Sequence, residues 1–279
     1  MTRRCARGAC AGNARSKTSA RWVSLESEGY DPLLLSEVVR ERVARGSARK
    51  YYRFRGGRWY GGIATADCVG CNLRCVFCWG SHARDNFASV GVFLEPEEVY
   101  ARLARIAEKR GYDLVRISGN EPTLAWQHLL RVLELFEEDG RFRFVLETNG
   151  ITLGADRGKA RDLSKFSCVH VRVSLKGASE EEFHLLTGAR PEFYAVQLNA
   201  LRNLLDYGVS CHPAVMLSFS APDSADRLKE RLAAIDPVLV REFEEEYIFL
   251  YRHVVEQLRR AGLKPRVAYA PDSIPPELV

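Results

Sequence analysis

An α/β fold is what this sequence predicts: a partial (β/α)6 barrel of parallel strands, carrying an N-terminal helix and hairpin extension. Three observations carry that expectation. First, strand-length apolar segments alternate with helix-length segments from residue 61 onward. Repeated β-α units imply parallel strands joined by right-handed crossovers, and six of them suit an open barrel. Second, two strands have one apolar and one polar face. In Val169-His170-Val171-Arg172-Val173-Ser174-Leu175-Lys176 the odd positions are apolar and the even ones polar. In 210–220, Cys211, Pro213, Val215, Leu217 and Phe219 share one face, and Ser210, His212, Met216 and Ser218 share the other. A parallel sheet covered by helices on both sides would be apolar on both faces. The polar faces therefore belong to a hydrated lumen that holds a polar ligand. An antiparallel sheet with one wet face gives the same alternation, and the intervening helices argue against it. Third, 279 residues are enough for one α/β barrel that buries its core without staples.

Taken in order, residues 1–20 hold Arg3, Arg4, Arg7, Arg15 and Lys17 among Ala, Gly and Ser. Such a segment cannot build a core and is expected to be a disordered basic tail, with Cys5 and Cys10 as incidental thiols. Residues 21–60 form the extension. Asp31 suits an N-cap, Pro32 the first helical position, and Gly46 the stop. Arg49 to Tyr60 interleaves basic and aromatic residues around Gly56-Gly57, a hairpin signal; the same mixture can stack bases. Residues 61–279 form the barrel. Strands are expected at 63–65, 114–118, 142–148, 169–176, 210–220 and 266–269. Helices are expected at 96–110, 126–138, 160–166, 191–207, 224–234 and 241–261.

Hydrophobic residues at 46% and charged residues at 28% are ordinary for a globular protein. No apolar run approaches the roughly 18 residues of a membrane span, and the N-terminus lacks a signal peptide's apolar segment. The expectation is a cytoplasmic protein with no membrane partner. The net charge of +5 is uneven: residues 1–60 carry fourteen Lys or Arg against five Asp or Glu. A basic arm can grip an anionic partner such as RNA, and it also fits a solvated tail of an Arg-rich chain.

Four of the eight cysteines lie in Cys68-Val69-Gly70-Cys71-Asn72-Leu73-Arg74-Cys75-Val76-Phe77-Cys78. In a reducing compartment clustered cysteines are more often metal-binding or catalytic than disulfide-bonded. A four-cysteine zinc site normally separates two C-x-x-C pairs by roughly 15–20 residues, far more than the three between Cys71 and Cys75. Iron–sulfur clusters accept tighter spacing, because each thiolate binds a different iron. Three thiolates leave a fourth iron open, and an open position is a catalytic feature.

Cys71-x-x-x-Cys75-x-x-Cys78, with Phe77 before the last cysteine, resembles the radical S-adenosylmethionine superfamily. Three further segments resemble that family's motifs: Ser118-Gly119-Asn120-Glu121-Pro122-Thr123, Glu147-Thr148-Asn149-Gly150 and Ser174-Leu175-Lys176. Each ends a predicted strand, where barrel sites assemble. The resemblance runs from about residue 60 to 220, and its layout is similar to activating enzymes and molybdopterin-precursor cyclases. It implies that Cys71, Cys75 and Cys78 hold a [4Fe–4S] cluster whose open iron takes S-adenosylmethionine. One-electron reduction, by a donor of ferredoxin or flavodoxin type, would give methionine and a 5′-deoxyadenosyl radical that abstracts a substrate hydrogen. Gly119, Asn120 and Glu121 would bind the methionine amino group, with Asn120 standing where the family has a second glycine. Asn is the side chain that best tolerates positive φ there. Thr148, Asn149 and Ser174 would serve the ribose or the carboxylate, and Phe77 the adenine.

Blander readings exist for each residue. Glu121 fits a carboxylate at a helix start, Thr148-Asn149-Gly150 an ordinary turn, and Ser174 a locally bonded hydroxyl. Cys68 is a bystander thiol, and Arg74 either tunes the cluster or faces solvent. Arg116, Glu147, His170, Arg172, Lys176 and His212 are expected in a cationic lumen. The substrate, a protein or small molecule, stays unnamed. The alternatives are an RNA-modifying enzyme that uses the basic arm and a non-catalytic iron–sulfur or zinc module.

Overall fold

A computed structural model describes residues 29–278. The segment 1–20, with Cys5 and Cys10, and the start of the extension lie outside the described residues.

Asp31 caps α1 (Pro32–Val43): its carboxylate accepts from the N–H groups of Leu33 at 2.8 Å and Leu34 at 3.2 Å. The expected stop at Gly46 is corrected. The helix ends at Val43, and Gly46, at φ 58°, turns β1 (Ala44–Arg45) into β2 (Ala48–Gly57). The hairpin turn moves as well. Gly56 and Gly57 lie inside β2, and the chain reverses at Trp59–Gly61 before β3 (Ile63–Cys68). There Tyr60 holds a left-handed φ of 55°. Strands β2 and β3 pair antiparallel, so the extension continues the barrel sheet.

After the cysteine loop come α2 (Ser81–Asp85) and β4 (Val92–Leu94), which pairs with β2. Next is α3 (Pro96–Arg110), whose Glu95 and Glu98 form a capping box and whose Gly111 closes the C-terminus. The succession continues with β5 (Leu114–Ser118), α4 (Trp126–Asp139), β6 (Arg143–Thr148), α5 (Ile151–Ala155) and α6 (Arg157–Leu163). Then follow β7 (Val169–Leu175), α7 (Glu180–Thr187), α8 (Phe193–Asp206) and β8 (Cys211–Met216). The last part holds α9 (Ser224–Ala233), α10 (Val238–Arg241), β9 (Glu244–Glu246), β10 (Ile248–Phe249), α11 (Arg252–Arg260) and β11 (Ala268–Tyr269).

The main sheet runs β1-β2-β3-β5-β6-β7-β8-β9, and its last six strands are parallel. The α/β class and partial barrel are as expected, but the sixth strand is not. It is Glu244–Glu246, paired to β8, while Ala268–Tyr269 pairs with β10 in a separate two-stranded sheet. The helix expected over 241–261 breaks accordingly into α10, two strands and α11. Glutamate favours helices and is depleted in strands, so local propensity points the wrong way here. Tertiary pairing of these carboxylates with Arg172 on β7, His212 on β8 and Lys176 just past β7 overrides it.

The outer strand faces carry the core. Val171, Val173, Leu175 and Val215 are wholly buried, as are Phe183, Tyr194 and Leu201 of the covering helices. Each such aliphatic side chain contributes about 1.5–3 kcal/mol. Among the described residues no helix is long and apolar enough to cross a membrane.

Candidate active site

The cysteine loop leaves the C-terminal end of β3 and is held from several sides. Asn72 donates to Ser36 Oγ of α1 at 2.9 Å and accepts from Asn149 Nδ2 at 2.7 Å. Leu73 is fully buried. Arg74 braces the loop, giving Nη1 to the Cys71 carbonyl at 2.6 Å, while its own N–H meets Tyr30 Oη at 2.8 Å. Arg84 reaches the Cys75 carbonyl at 2.6 Å and pairs with Asp85 at 2.7 Å.

This scaffolding turns Cys71, Cys75 and Cys78 to one cavity of about 1030 Å³. Cys68 is fully buried and is not part of its lining. All described cysteines are free thiols. Burial pushes Cys75 up to about 11 and raises Cys71 and Cys78 as well, with the neighbouring thiols adding to the effect at Cys71 and Cys75. Such thiols stay protonated at neutral pH until something positive sits among them. Among the described residues no three His, Cys, Asp or Glu side chains gather round a single-ion position.

The strand ends opposite complete the wall. Gly119, at φ 95°, lies so close to β3 that a Cβ would stand 2.8 Å from Asp67 Cβ. No such allowance is needed at Asn120: among the described residues the only non-glycine with positive φ is Tyr60. The expectation that Asn120 uses its tolerance of positive φ is corrected. It bonds instead, giving Nδ2 to the Cys68 carbonyl at 2.9 Å, while its Oδ1 is buried without a partner.

The Glu121 carboxylate is buried and fully engaged with protein. Oε1 accepts from Thr123 N (3.1 Å), Thr123 Oγ1 (2.6 Å) and Thr148 Oγ1 (2.7 Å), and Oε2 accepts from Asn149 N (2.8 Å). It ties the end of β5 to the end of β6. Asn149 Oδ1 accepts from Ile151 N at 3.1 Å, and its Nδ2 also approaches Cys71 Sγ at 3.7 Å. Gln197, wholly buried on α8, donates to the Asn149 and Ser174 carbonyls and accepts from Lys176 N. Ser174 Oγ donates to Glu246 at 2.8 Å and touches Lys176 Nζ. Phe77 lines the cavity beside Phe219, with ring centroids 6.1 Å apart.

The inner strand faces form the cavity floor. Arg116 pairs with Glu147 at 2.5 Å; Arg172 pairs with Glu244 at 2.6 Å and Glu246 at 3.4 Å. Burial opposes ionisation of Glu147, but Arg116 and Arg172 outweigh it and hold its pKa low. At Glu244 burial is likewise overcome, by His212 and Arg172. The expected cationic lumen is therefore charge-matched. His170 and His212 stack at 4.9 Å beneath it and are not part of the lining.

Sequence reasoning missed Asn72, Gln197, Glu244 and Glu246. Only the acidic run 244–246 gave a signal, and it reads as helix. The basic-aromatic stretch proves committed internally. Arg49 donates to three backbone carbonyls, Lys50 to two, and Arg53 and Arg55 both pair with Asp67.

A sequence profile described as the Radical SAM superfamily matches residues 67–230, which hold the cysteine loop and all three strand-end motifs. The chain belongs to the radical SAM superfamily. These enzymes work with a [4Fe–4S] cluster and S-adenosylmethionine. Among curated proteins the chain is 30% identical over 142 residues to a probable GTP 3′,8-cyclase of Methanocella arvoryzae, covering 50% of this chain and 42% of that one. The match thus spans less than half of the relative's length. Among solved structures it is similar to native anSMEcpe with bound AdoMet and Cp18Cys peptide, at a TM-score of 0.51 and 19% identity, covering 66% of this chain and 49% of that one. It is also similar to a spore photoproduct lyase variant with bound AdoMet and dinucleoside spore photoproduct, at a TM-score of 0.56 and 13% identity, covering 81% and 66%. These two likenesses show the radical SAM fold.

Proposed function

We propose that this chain reductively cleaves S-adenosylmethionine at a [4Fe–4S] cluster held by Cys71, Cys75 and Cys78, and directs the resulting hydrogen abstraction at a protein or small-molecule substrate. The observation that carries it is that those three thiols, from one loop, line the same cavity as the strand-end motifs. Held by Cys71, Cys75 and Cys78, the cluster would pass an electron from a ferredoxin- or flavodoxin-type donor to S-adenosylmethionine, whose C5′–S cleavage would supply methionine and the 5′-deoxyadenosyl radical.

The residues divide the remaining work. Asn120 Oδ1, buried and unpartnered, is an acceptor for the methionine ammonium beside Gly119. A buried acceptor left empty costs about 1–3 kcal/mol, which is recovered when a donor arrives. Lys176 offers a cation to the carboxylate, and Ser174, whose hydroxyl donates to Glu246 and accepts from Lys176, positions that ammonium. Phe77 offers an aromatic surface to the adenine. Glu121, Thr148 and Asn149 act as positioning residues, because their polar atoms already join the strand ends.

Anaerobic reconstitution with iron and sulfide, then reduction with S-adenosylmethionine present, tests this reading. The expected result is 5′-deoxyadenosine, lost in Cys75→Ala while the circular dichroism of the fold persists. A colourless protein with one tightly held zinc would overturn it.

A further inference from the structure

The cysteine loop touches a second part of the chain, to which the proposed chemistry gives no role, although Trp79, Tyr251 and His253 also line the cavity. Helix α11 is moored to it by two side chains. Gln257 Nε2 donates to the Cys78 carbonyl at 3.1 Å, and His253 Nε2 bonds the Trp79 carbonyl at 2.9 Å. Val254 and Leu258 are the buried side of this helix. Its other side is exposed and basic, with Arg252, Arg259 and Arg260, and Lys264 and Arg266 exposed just beyond. Glu256 is the one acid on the helix, 3.5 Å from Arg252. Among the described residues Arg259, Arg260, Lys264 and Arg266 form no ion pair.

Apolar surface lies within this basic frame. Trp79 is 41% exposed, Tyr251 40% and Val255 45%. The guanidinium groups of Arg53 and Arg55 lie 5.4 and 6.0 Å from the Trp79 ring. A cleft of about 400 Å³, lined by Trp79, His82, Asp85, His253, Gln257 and Arg260 among others, opens between α2 and α11. A merely solvated basic helix needs neither exposed aromatics nor bonds to the residue that carries a ligand thiol.

We propose that the outer face of α11, with Trp79 and this cleft, is the docking surface for an acidic one-electron donor protein. The proposal rests on the reading that Cys78 holds a cluster. It gives that cluster's electron an entry point one hydrogen bond from the helix surface. The donor is oxidised by one electron and the cluster reduced by one. Electron-transfer encounters are small, typically under about 1,200 Å², so one helix face and a cleft suffice. Opposite charge raises the encounter rate, and salt screens it.

The test uses the full reconstituted chain, with a flavodoxin of net negative charge as the probe. Binding of oxidised flavodoxin is followed by fluorescence anisotropy across a salt series, in wild type and R259E/R260E. 5′-Deoxyadenosine formation is measured with reduced flavodoxin and, separately, with dithionite. Charge reversal at these exposed sites is expected to weaken flavodoxin binding about 10-fold at low salt. It should slow the flavodoxin-driven reaction in proportion and leave the dithionite-driven reaction unchanged. R259A/R260A should give a smaller loss of the same kind, and R202E on α8 none. Equal flavodoxin affinity in wild type and R259E/R260E would overturn the proposal. So would tight binding of a single-stranded RNA oligonucleotide lost in the same variant, which would assign the face to nucleic acid. Failure of the cluster reading is distinguishable: wild type would give no product even with dithionite, while the anisotropy series would still report on docking.

Discussion

On the cavity floor Arg172 lies 2.6 Å from Glu244 and 3.4 Å from Glu246, and Arg116 lies 2.5 Å from Glu147. At the cysteine end, a short way along the same cavity, burial raises the pKa of all three thiols, and the Asn120 oxygen has no partner. The floor satisfies itself with protein groups and keeps its shape without a ligand. The cysteine end is complete only when something positive and hydrogen-bonding arrives. The difference separates residues that build the cavity from residues that use it, although both sets line one space and both are polar.

The comparison breaks most visibly at Arg172. Arg172→Met removes the cation between two half-buried carboxylates. Breaking a buried pair by removing one partner costs about 3–5 kcal/mol, and urea denaturation should show a loss of that size. Cys75→Ala sits at the other extreme, expected to abolish cleavage while the protein stays folded. Glu121→Gln tests the border between the regions. The amide can accept through one oxygen only, so its NH2 group would face the Asn149 N–H that Oε2 now accepts at 2.8 Å. Leaving a buried donor unsatisfied costs about 1–3 kcal/mol. Weaker S-adenosylmethionine binding, read by equilibrium dialysis, should accompany the lower denaturation midpoint.

The layer beneath the floor has a pH signature. His170 bonds Ser210 Oγ at 2.7 Å and His212 Nδ1 at 2.6 Å, and burial followed by the facing His212 lowers its pKa to about 4. In the unfolded chain a histidine titrates near 6.5. Between those values the unfolded state binds more protons, so stability falls as pH drops from about 6.5 toward 4. His170 is only partly buried, so solvent screening cuts the effect to on the order of 1 kcal/mol. The urea midpoint is expected to be lower at pH 5 than at pH 7, with a smaller drop in His170→Asn. Equal drops in both proteins would remove His170 from the account.

The same contrast explains what could be read from the chain alone. The cysteine spacing and the strand-end motifs are local signals, a few residues long, and local chemistry constrains them. The alternation in 169–176 survives as the wall of a cavity because a strand's period is fixed by its backbone. Glu244 and Glu246 meet partners about seventy residues earlier, and nothing in their own neighbourhood announces a strand. Gln197 was invisible for the same reason: one polar residue on a helix face gives no hint that it collects two strand-end carbonyls. At Asn120 the sequence suggests backbone tolerance, whereas its side chain is what bonds to β3.

A further contrast concerns the support behind the cysteine end. Asp31 caps α1 through Oδ1, and its Oδ2 accepts from Arg190 Nη2. That helix buries Val39 and Val43 and presents Ser36 to Asn72. Asp31→Ala removes both the cap and the ion pair. Loss of a cap costs about 1 kcal/mol, and a partly exposed pair adds at most about 1 kcal/mol. Asp31→Asn keeps an oxygen for the cap and loses only the charge, so its cost isolates the Arg190 contribution. If the cap dominates, Asp31→Asn should stay within about 0.5 kcal/mol of wild type while Asp31→Ala falls by 1–2 kcal/mol in the same urea titration. Because Asn72 in turn meets Asn149, loosening α1 should also slow iron–sulfur reconstitution in Asp31→Ala more than in Asp31→Asn. Equal reconstitution rates would show that the cysteine end holds its shape without α1 and stands on the strand ends alone.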